Sequence, residues 1–334
     1  NTQDAVGQVL CHDITRIIKD VVKDTPFRKG HIVTEEEIPK LLSLGKTHLY
    51  VWENDETKYH EDEAAEILCG ICKGSHMERS AVREGKIELT AGCDGLFVVD
   101  VDRLNAINSL EEIMIATRHT YSAVHKGDKL IGTRVIPLVI DKERLAQARV
   151  LAGDEPLARV IAYKPFKCGI VTTGSEVYHG RIKDTFTPVI VDKLAAFGID
   201  VCGHKTVDDS LERIADAILE LKAKGADMIV CTGGMSVDPD DLTPGAIKAA
   251  GAHIVTYGAP VLPGAMFLLA YKGEVPIVGL PGCVMYAKRT VFDLILCRLL
   301  AKDTVTYEEL CDLGEGGLCL ECDICTYPNC GFGK

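Results

Sequence analysis

One short stretch gathers the residue types that handle phosphate. Thr232-Gly-Gly-Met-Ser236 is followed by three carboxylates, Asp238, Asp240 and Asp241, and then by Thr243-Pro244. Glycines let backbone N–H groups approach an anion, and a helix N-terminus adds partial positive charge. Thr243 is expected to cap such a helix, with Pro244 in its first turn. Carboxylates beside an anion make chemical sense when a divalent metal bridges the two, as magnesium does with phosphates. The stretch therefore reads as a site for a phosphorylated ligand with magnesium.

From Lys167 the chain supplies elements to hold that site. An apolar strand over 168–172 ends in Thr173-Gly174-Ser175-Glu176, and a helix over 185–197 follows, with Pro188 early and Gly198 just past its end. A strand over 199–204 comes next. Asp209 and Glu212 are spaced as a capping box for an amphipathic helix over 211–224. The strand over 228–231 then enters the glycine stretch. Further strands are expected over 253–257 and 275–279, and Leu280-Pro-Gly-Cys283 opens a long helix reaching 300. Strands alternating with helices at this spacing predict a mostly parallel sheet covered on both faces. Ligands of such sheets sit beyond the carboxyl ends of the strands. The turns at Gly174, Gly233 and Gly282, with Asp208, should gather on that edge.

Residues 1–165 read as an α+β region with no catalytic constellation. Strand or strand-to-helix signals run over 6–18, a turn into a strand over 27–33, and a strand over 48–52. Thr34 and Glu37 form a capping box for a helix over 35–44. A second helix over 61–72 carries Cys69 and Cys72, which as helical neighbours one turn apart read as core packing before a zinc or redox motif. Short strands over 86–89 and 95–101, a bent strand over 130–140 and a helix over 144–152 complete the region. His31, His119 and His125 are isolated and read as structural or surface residues.

The net charge of −12 argues against nucleic acid as a partner. No apolar run reaches the roughly 18 residues of a membrane span, and Asn1-Thr-Gln-Asp has no signal-peptide character, so a cytoplasmic protein with reduced thiols is expected. Among 14 cysteines, Cys168, Cys202, Cys231, Cys283 and Cys297 lie in apolar segments and read as small hydrophobes. Cys319, Cys322, Cys325 and Cys330 crowd a glycine-rich tail and fit tetrahedral zinc or an iron–sulfur cluster. Neither a dinucleotide fingerprint nor a Gly-Lys-Ser/Thr phosphate loop is present.

Seven stretches occur in order: Thr173-Gly-Ser-Glu176, Gly180 with Asp184, Val207-Asp-Asp209, Thr232-Gly-Gly-Met-Ser236, Asp241-Leu-Thr-Pro244, Pro263-Gly264 and Leu280-Pro-Gly282. Together they resemble the molybdopterin-binding domain of molybdenum-cofactor biosynthesis, the domain shared by the MogA, MoeA and gephyrin families. The resemblance implies a three-layer α/β/α domain with a mostly parallel sheet over 166–302. An α+β N-terminal region over 1–165 precedes it and a cysteine-rich tail over 303–334 follows. It implies molybdopterin held by Thr173, Gly174, Ser175, Glu176, Asp184, Thr232, Gly233, Gly234, Ser236, Pro281 and Gly282. Asp208 and Asp241 match the two aspartates that act in adenylyl transfer, or in its reversal with molybdate, and that would hold magnesium. The implied function is a molybdotransferase-like step, molybdate insertion into adenylylated molybdopterin. An adenylyltransferase acting on ATP and molybdopterin, and a non-catalytic carrier or sensor serving a molybdenum-enzyme client, are the alternatives. A pterin, a nucleotide and a second copy of the chain are the implied partners; a membrane is not.

The chain departs from the family pattern at three places. Asp238 stands where many relatives have glycine, and Cys283-Val284 where they have Asn-Pro. The region from Ala5 to Ile14 begins like the molybdotransferase arm, but the Ser-x-Met-Asp-Gly-Tyr-Ala signature of that arm is absent.

Overall fold

Period-two burial along the strands decides the architecture of the second half. On the strand Lys167–Thr173, Cys168 and Ile170 face one core while Val171 faces another. On Met228–Thr232, Met228 and Val230 join the first core, and Ile229 and Cys231 the second. A strand apolar on both faces must be covered on both. The computed structural model describes residues 1–18, 22–51, 55–236, 238–239 and 241–334. It divides into two compact units, Asn1–Ile161 and Ala162–Lys334.

The elements of the second unit are numbered here along the chain. They are β1 (Lys167–Thr173), α1 (Ser175–Tyr178), α2 (Phe186–Ala195), β2 (Asp200–Val207), α3 (Leu211–Ala223), β3 (Met228–Thr232), α4 (Thr243–Ala249), β4 (His253–Tyr257), β5 (Leu268–Lys272), β6 (Val275–Leu280), α5 (Val291–Leu300) and α6 (Tyr307–Asp312). The sheet order is β2-β1-β3-β6-β5-β4. The first four strands are parallel, and β5 and β4 add an antiparallel edge. Ile190 and Leu194 of α2 and Ile295 and Leu299 of α5 cover one face. Ile214, Ile218 and Leu221 of α3 and Ile247 of α4 cover the other. The domain is thus three-layered α/β/α. Glycine allows α3 to sit close: a Cβ on Gly203 would lie 2.7 Å from Leu221 Cδ2.

Several local expectations are corrected. The long helix expected from Cys283 is interrupted. A single turn, Gly282–Met285, is followed by irregular chain, and α5 starts only at Val291. There Thr290 and Asp293 form a capping box that fixes the start. Asp209 does not cap α3; Ser210 does, accepting the Arg213 N–H. Thr243 is the first helical residue of α4 and not its cap, which is Leu242. β5 was not foreseen. The tail packs on the unit: Phe332 is buried, and Cys319 N–H donates to Leu262 O.

In the first unit, helix Glu61–Cys72 lies on a four-stranded antiparallel sheet formed by Met77–Arg79, Lys86–Ala91, Lys129–Val135 and Ile113–Thr117. Cys69 and Cys72 are buried there as core residues, and burial pushes the Cys72 thiol up to about 12. The bent strand expected over 130–140 is two strands in different sheets, Lys129–Val135 and Val139–Asp141, parted at Pro137, which lacks an N–H for the ladder. The Thr34–Glu37 capping box is present. The strand expected over 48–52 is reduced to a bridge between Leu10 and Val51; Trp52 lies outside the described residues.

Candidate functional site

Parallel register brings the glycine turns to one edge. Thr173 pairs with Val207, Thr172 with Thr232, and Thr232 with Leu280, so the segments after β1, β2, β3 and β6 all leave the same side of the sheet. They do not merely neighbour one another. A Cβ on Gly233, whose φ is +84°, would lie 2.3 Å from Thr173 O, so only glycine lets the two turns meet. Thr243 closes the arrangement: its hydroxyl donates to Gly233 O at 2.8 Å and lies 3.2 Å from Thr173 Oγ1. From the other side, Ser175 N–H donates to Asp209 Oδ2 at 2.8 Å. The segments after β1, β2 and β3 are therefore bonded into one surface.

The acids divide by environment. Asp208 accepts from Arg213 Nη1 through Oδ2 at 3.0 Å, while Oδ1 is buried without a hydrogen-bond partner. Asp241 and Asp238 form a local turn, with Asp238 N–H donating to Asp241 Oδ2 at 3.3 Å and Asp241 N–H to Asp238 O at 3.0 Å. Tyr257 OH donates to Met235 O at 2.9 Å and lies 3.2 Å from Ser236 O, pinning the chain that leads to these acids. Burial, then the Asp241 charge, pushes the Tyr257 hydroxyl up. Asp240 lies outside the described residues.

Asp184 is turned inward. Its Oδ1 accepts the N–H groups of Phe186 and Thr187 at 2.9 and 3.0 Å, so it caps α2. Its Oδ2 accepts from Thr187 Oγ1 at 2.5 Å, and His204 Nε2 stands 3.7 Å away. Burial raises this carboxyl, but the Thr187 hydroxyl and the two N–H donors outweigh it and hold the group below the usual carboxylate range. Thr172 Oγ1 joins the same cluster at 3.0 Å from both Thr187 Oγ1 and His204 Nε2. Buried Thr232 donates to Thr172 at 3.4 Å, so its side chain serves the floor of the site. Glu176 is exposed on α1. Pro281 is buried and Gly282 exposed at the end of β6.

Sequence reasoning missed Thr172, Thr187, His204, Arg213 and Tyr257. Arg213 had a signal, since it sits in the first turn of a helix beginning beside Asp208-Asp209. His204 had none, because its partners come from β1 and α2.

The expected metal set of the tail is not assembled. Among the described residues no group of three or more His, Cys, Asp and Glu side chains is placed to hold a metal ion. Cys319 and Cys330 are half-buried against the core, while Cys322 and Cys325 are exposed. Among the described residues no helix is long and apolar enough to cross a membrane.

A family described as a probable molybdopterin binding domain matches residues 169–302, and a domain of unknown function matches residues 1–53. A CinA-like protein of Desulfosudis oleivorans is 43% identical over 81 residues, 24% of this chain and 19% of that protein. A putative competence-damage inducible protein of Bacillus cereus is 36% identical over 93 residues, 28% of this chain and 22% of its own. The chain thus spans about a fifth of the length of these curated relatives. The tungsten cofactor synthesizing protein MoaB from Pyrococcus furiosus is similar at 24% identity, covering 41% of this chain and 94% of that one, with a TM-score of 0.35. The protein CinA of Thermoplasma acidophilum is similar at 19% identity, covering 40% and 98%, also with a TM-score of 0.35. Residues 169–302, which carry the whole glycine-turn edge, are thus similar to the family described as a probable molybdopterin binding domain.

Proposed function

We propose that the second unit binds molybdopterin at the edge formed by Thr173-Gly174-Ser175, Asp208-Asp209 and Gly233-Gly234, and assists molybdate insertion into the adenylylated pterin. The observation that carries this reading is the bonding of those three segments into one surface, with an unpartnered carboxylate oxygen, Asp208 Oδ1, beside them. The backbone of the glycine turns would receive the pterin phosphate. Ser236, next to the Tyr257 anchor, and Gly282, at the end of β6, would border it. Glu176 and Asp184 belong to the same lining in the family pattern. Asp184, whose carboxylate is spent on the α2 N-terminus, would shape the site and not touch the ligand.

Magnesium of the phosphate-bridging kind takes only one or two protein carboxylates and completes its shell with phosphate oxygens and water. Asp208, with one oxygen free of partners, fits that role, and Asp241 would be the second acid. When bound, the ion would neutralise charge on the bridging phosphates. The chain's own part is to hold the phosphate on backbone donors, orient Asp208 through Arg213, and fix the Asp241 loop through Tyr257. In the overall step a water oxygen attacks the phosphoric anhydride of the adenylylated pterin, the P–O–P bond breaks, and AMP leaves with the pterin keeping its own phosphate. The two dithiolene sulfurs bind molybdate, and one molybdate oxygen departs with the two thiol protons as water. A homodimer or larger assembly and a molybdenum-enzyme client follow from the same reading. The tail thiols hold no zinc or iron–sulfur cluster in it.

The test is turnover with defined substrates. The protein is mixed with adenylylated molybdopterin, magnesium and molybdate, and AMP is followed. Molybdate-dependent AMP release is expected. Pyrophosphate release from ATP and molybdopterin would assign adenylyl transfer instead. Tight pterin binding without either product would assign the carrier.

A further inference from the structure

A cavity of about 670 Å³ opens at the other end of the sheet from the glycine turns. Phe166, Asp227 and Pro276 line it, and they stand where β1, β3 and β6 begin. The turns follow the ends of those same strands, so the two places are separated by the length of the sheet. The opposite wall of the cavity is the chain after α5, from Leu299 to Tyr307.

That wall is fixed by bonds of its own. Lys302 N–H donates to Leu299 O and Asp303 N–H to Arg298 O, each at 3.0 Å, with Lys302 at φ +55°. This pair of bonds closes a helix at a position that usually carries glycine. Buried Arg298 then grips the chain that follows. Its Nε donates to Asp303 Oδ2 at 2.6 Å, and its Nη2 to Thr304 O at 3.3 Å and to Glu309 Oε1 at 2.8 Å. Val305 N–H donates to Tyr271 OH at 3.1 Å. The cavity is therefore preformed, and a ligand entering it need not order the wall.

Its lining is apolar and aromatic, with acids among it. Phe166, Pro276 and Leu299 are buried, Tyr271 is half-buried, and the Tyr307 ring is 56% exposed. Asp227 takes Lys302 Nζ at 3.2 Å, and Asp303 takes Arg298. Glu274 is left as the carboxylate of the lining without a cation among the described residues. Asp227, Glu274, Asp303 and Glu309 thus outnumber Lys302 and Arg298 around this space.

We propose that the cavity binds an amphipathic organic amine, its apolar body against Phe166, Tyr271 and Leu299 and its ammonium group at Glu274. Aromatic faces together with a carboxylate recognise such cations. An anion with the same apolar body meets surplus negative charge and is disfavoured. Cavities of this size and lining bury most of a small ligand. The site is distinct from the edge assigned to the pterin and rests on none of that reading.

Tryptamine is the probe, titrated into the full-length protein and followed by calorimetry, with indole-3-acetate as the anion of the same ring. Tryptamine should bind with a Kd below about 1 mM, and indole-3-acetate at least about tenfold more weakly. Glu274→Gln and Tyr307→Ala change exposed side chains, so the thermal midpoint should hold while tryptamine binding weakens about fivefold or more in each. Saturating tryptamine should slow hydrogen exchange of the amides over 303–307 by about threefold or more. No binding of tryptamine, equal binding of indole-3-acetate, affinity left unchanged by either substitution, or unaltered exchange over 303–307 would each overturn the proposal.

Discussion

Asp208 meets Arg213 through one oxygen only: Nη1 donates to Oδ2 at 3.0 Å, and Oδ1 is buried with no hydrogen-bond partner. A buried carboxylate oxygen without a donor is costly, and its presence beside a glycine-built edge points to a ligand-side partner. Asp208→Asn keeps the shape and removes the charge. AMP release should fall on the order of 10²-fold, with pterin binding reduced less and the urea midpoint nearly unchanged. Asp241→Asn should behave alike. Turnover equal to wild type in either variant would remove that acid from the proposed chemistry.

Gly233→Ala tests the meeting of the two turns. With φ at +84° and a new Cβ 2.3 Å from Thr173 O, the β1 and β3 turns must part. The second unit should lose about 2 kcal/mol or more in urea unfolding. Gly282→Ala is the contrast, because nothing lies within 4 Å of its would-be Cβ, and stability should move by less than about 0.5 kcal/mol. Equal effects of the two would contradict the geometry.

Asp184 supplies a pH signature. Its carboxyl is held low in the folded chain despite burial, by Thr187 and the first N–H groups of α2. A group depressed on folding stabilises the protein above its unfolded pKa, near 4, and that contribution disappears as pH falls through the lower folded value. Wild type should therefore lose stability on acidification faster than Asp184→Asn, which never carries the charge. Urea midpoints between about pH 6 and pH 3 would show the two curves converging. Parallel curves would mean that the cap does not titrate with folding.

Asp293 holds the base of α5. Its side chain is only 5% exposed; it accepts from Lys193 Nζ at 2.7 and 2.8 Å, from Arg289 Nη1 at 3.0 Å and from Thr290 N–H at 2.8 Å. Asp293→Ala leaves the largely buried Lys193 without its carboxylate and removes the Thr290 cap partner, and should cost about 2–3 kcal/mol, read as a lower thermal midpoint. A shift no larger than that of an exposed substitution would show the pairs to be incidental.

Much of the second unit was legible because its signals are local. Apolar strands that stop at Gly174, Gly233 and Gly282 announce the sheet edge, and the parallel register then does the gathering. What stayed hidden was set by distant partners. Asp209 has the spacing of a cap, but Ser175 N–H claims its carboxylate and Ser210 takes the role. Thr243 looks like a cap, but Gly233 O binds its hydroxyl. Apolar content alone made 283–300 look like one helix, whereas the Thr290–Asp293 box begins it late. The tail spacing suggested a metal, yet core packing of Cys319 and Cys330 separates the four thiols by environment.

The hydroxyls under the glycine turns form a line: Thr232 Oγ1 to Thr172 Oγ1 at 3.4 Å, Thr172 to Thr187 Oγ1 at 3.0 Å, and Thr187 to Asp184 Oδ2 at 2.5 Å. Each hydroxyl can give or accept, and its hydrogen turns about the C–O bond. The charge on Asp184 gives these hydrogens one sense: Thr172 also donates directly to Asp184 Oδ2 at 3.4 Å, and Thr232 stands as the donor at the far end. A single carboxylate at the start of α2 thus orients the hydroxyl dipoles of the floor beneath Gly233.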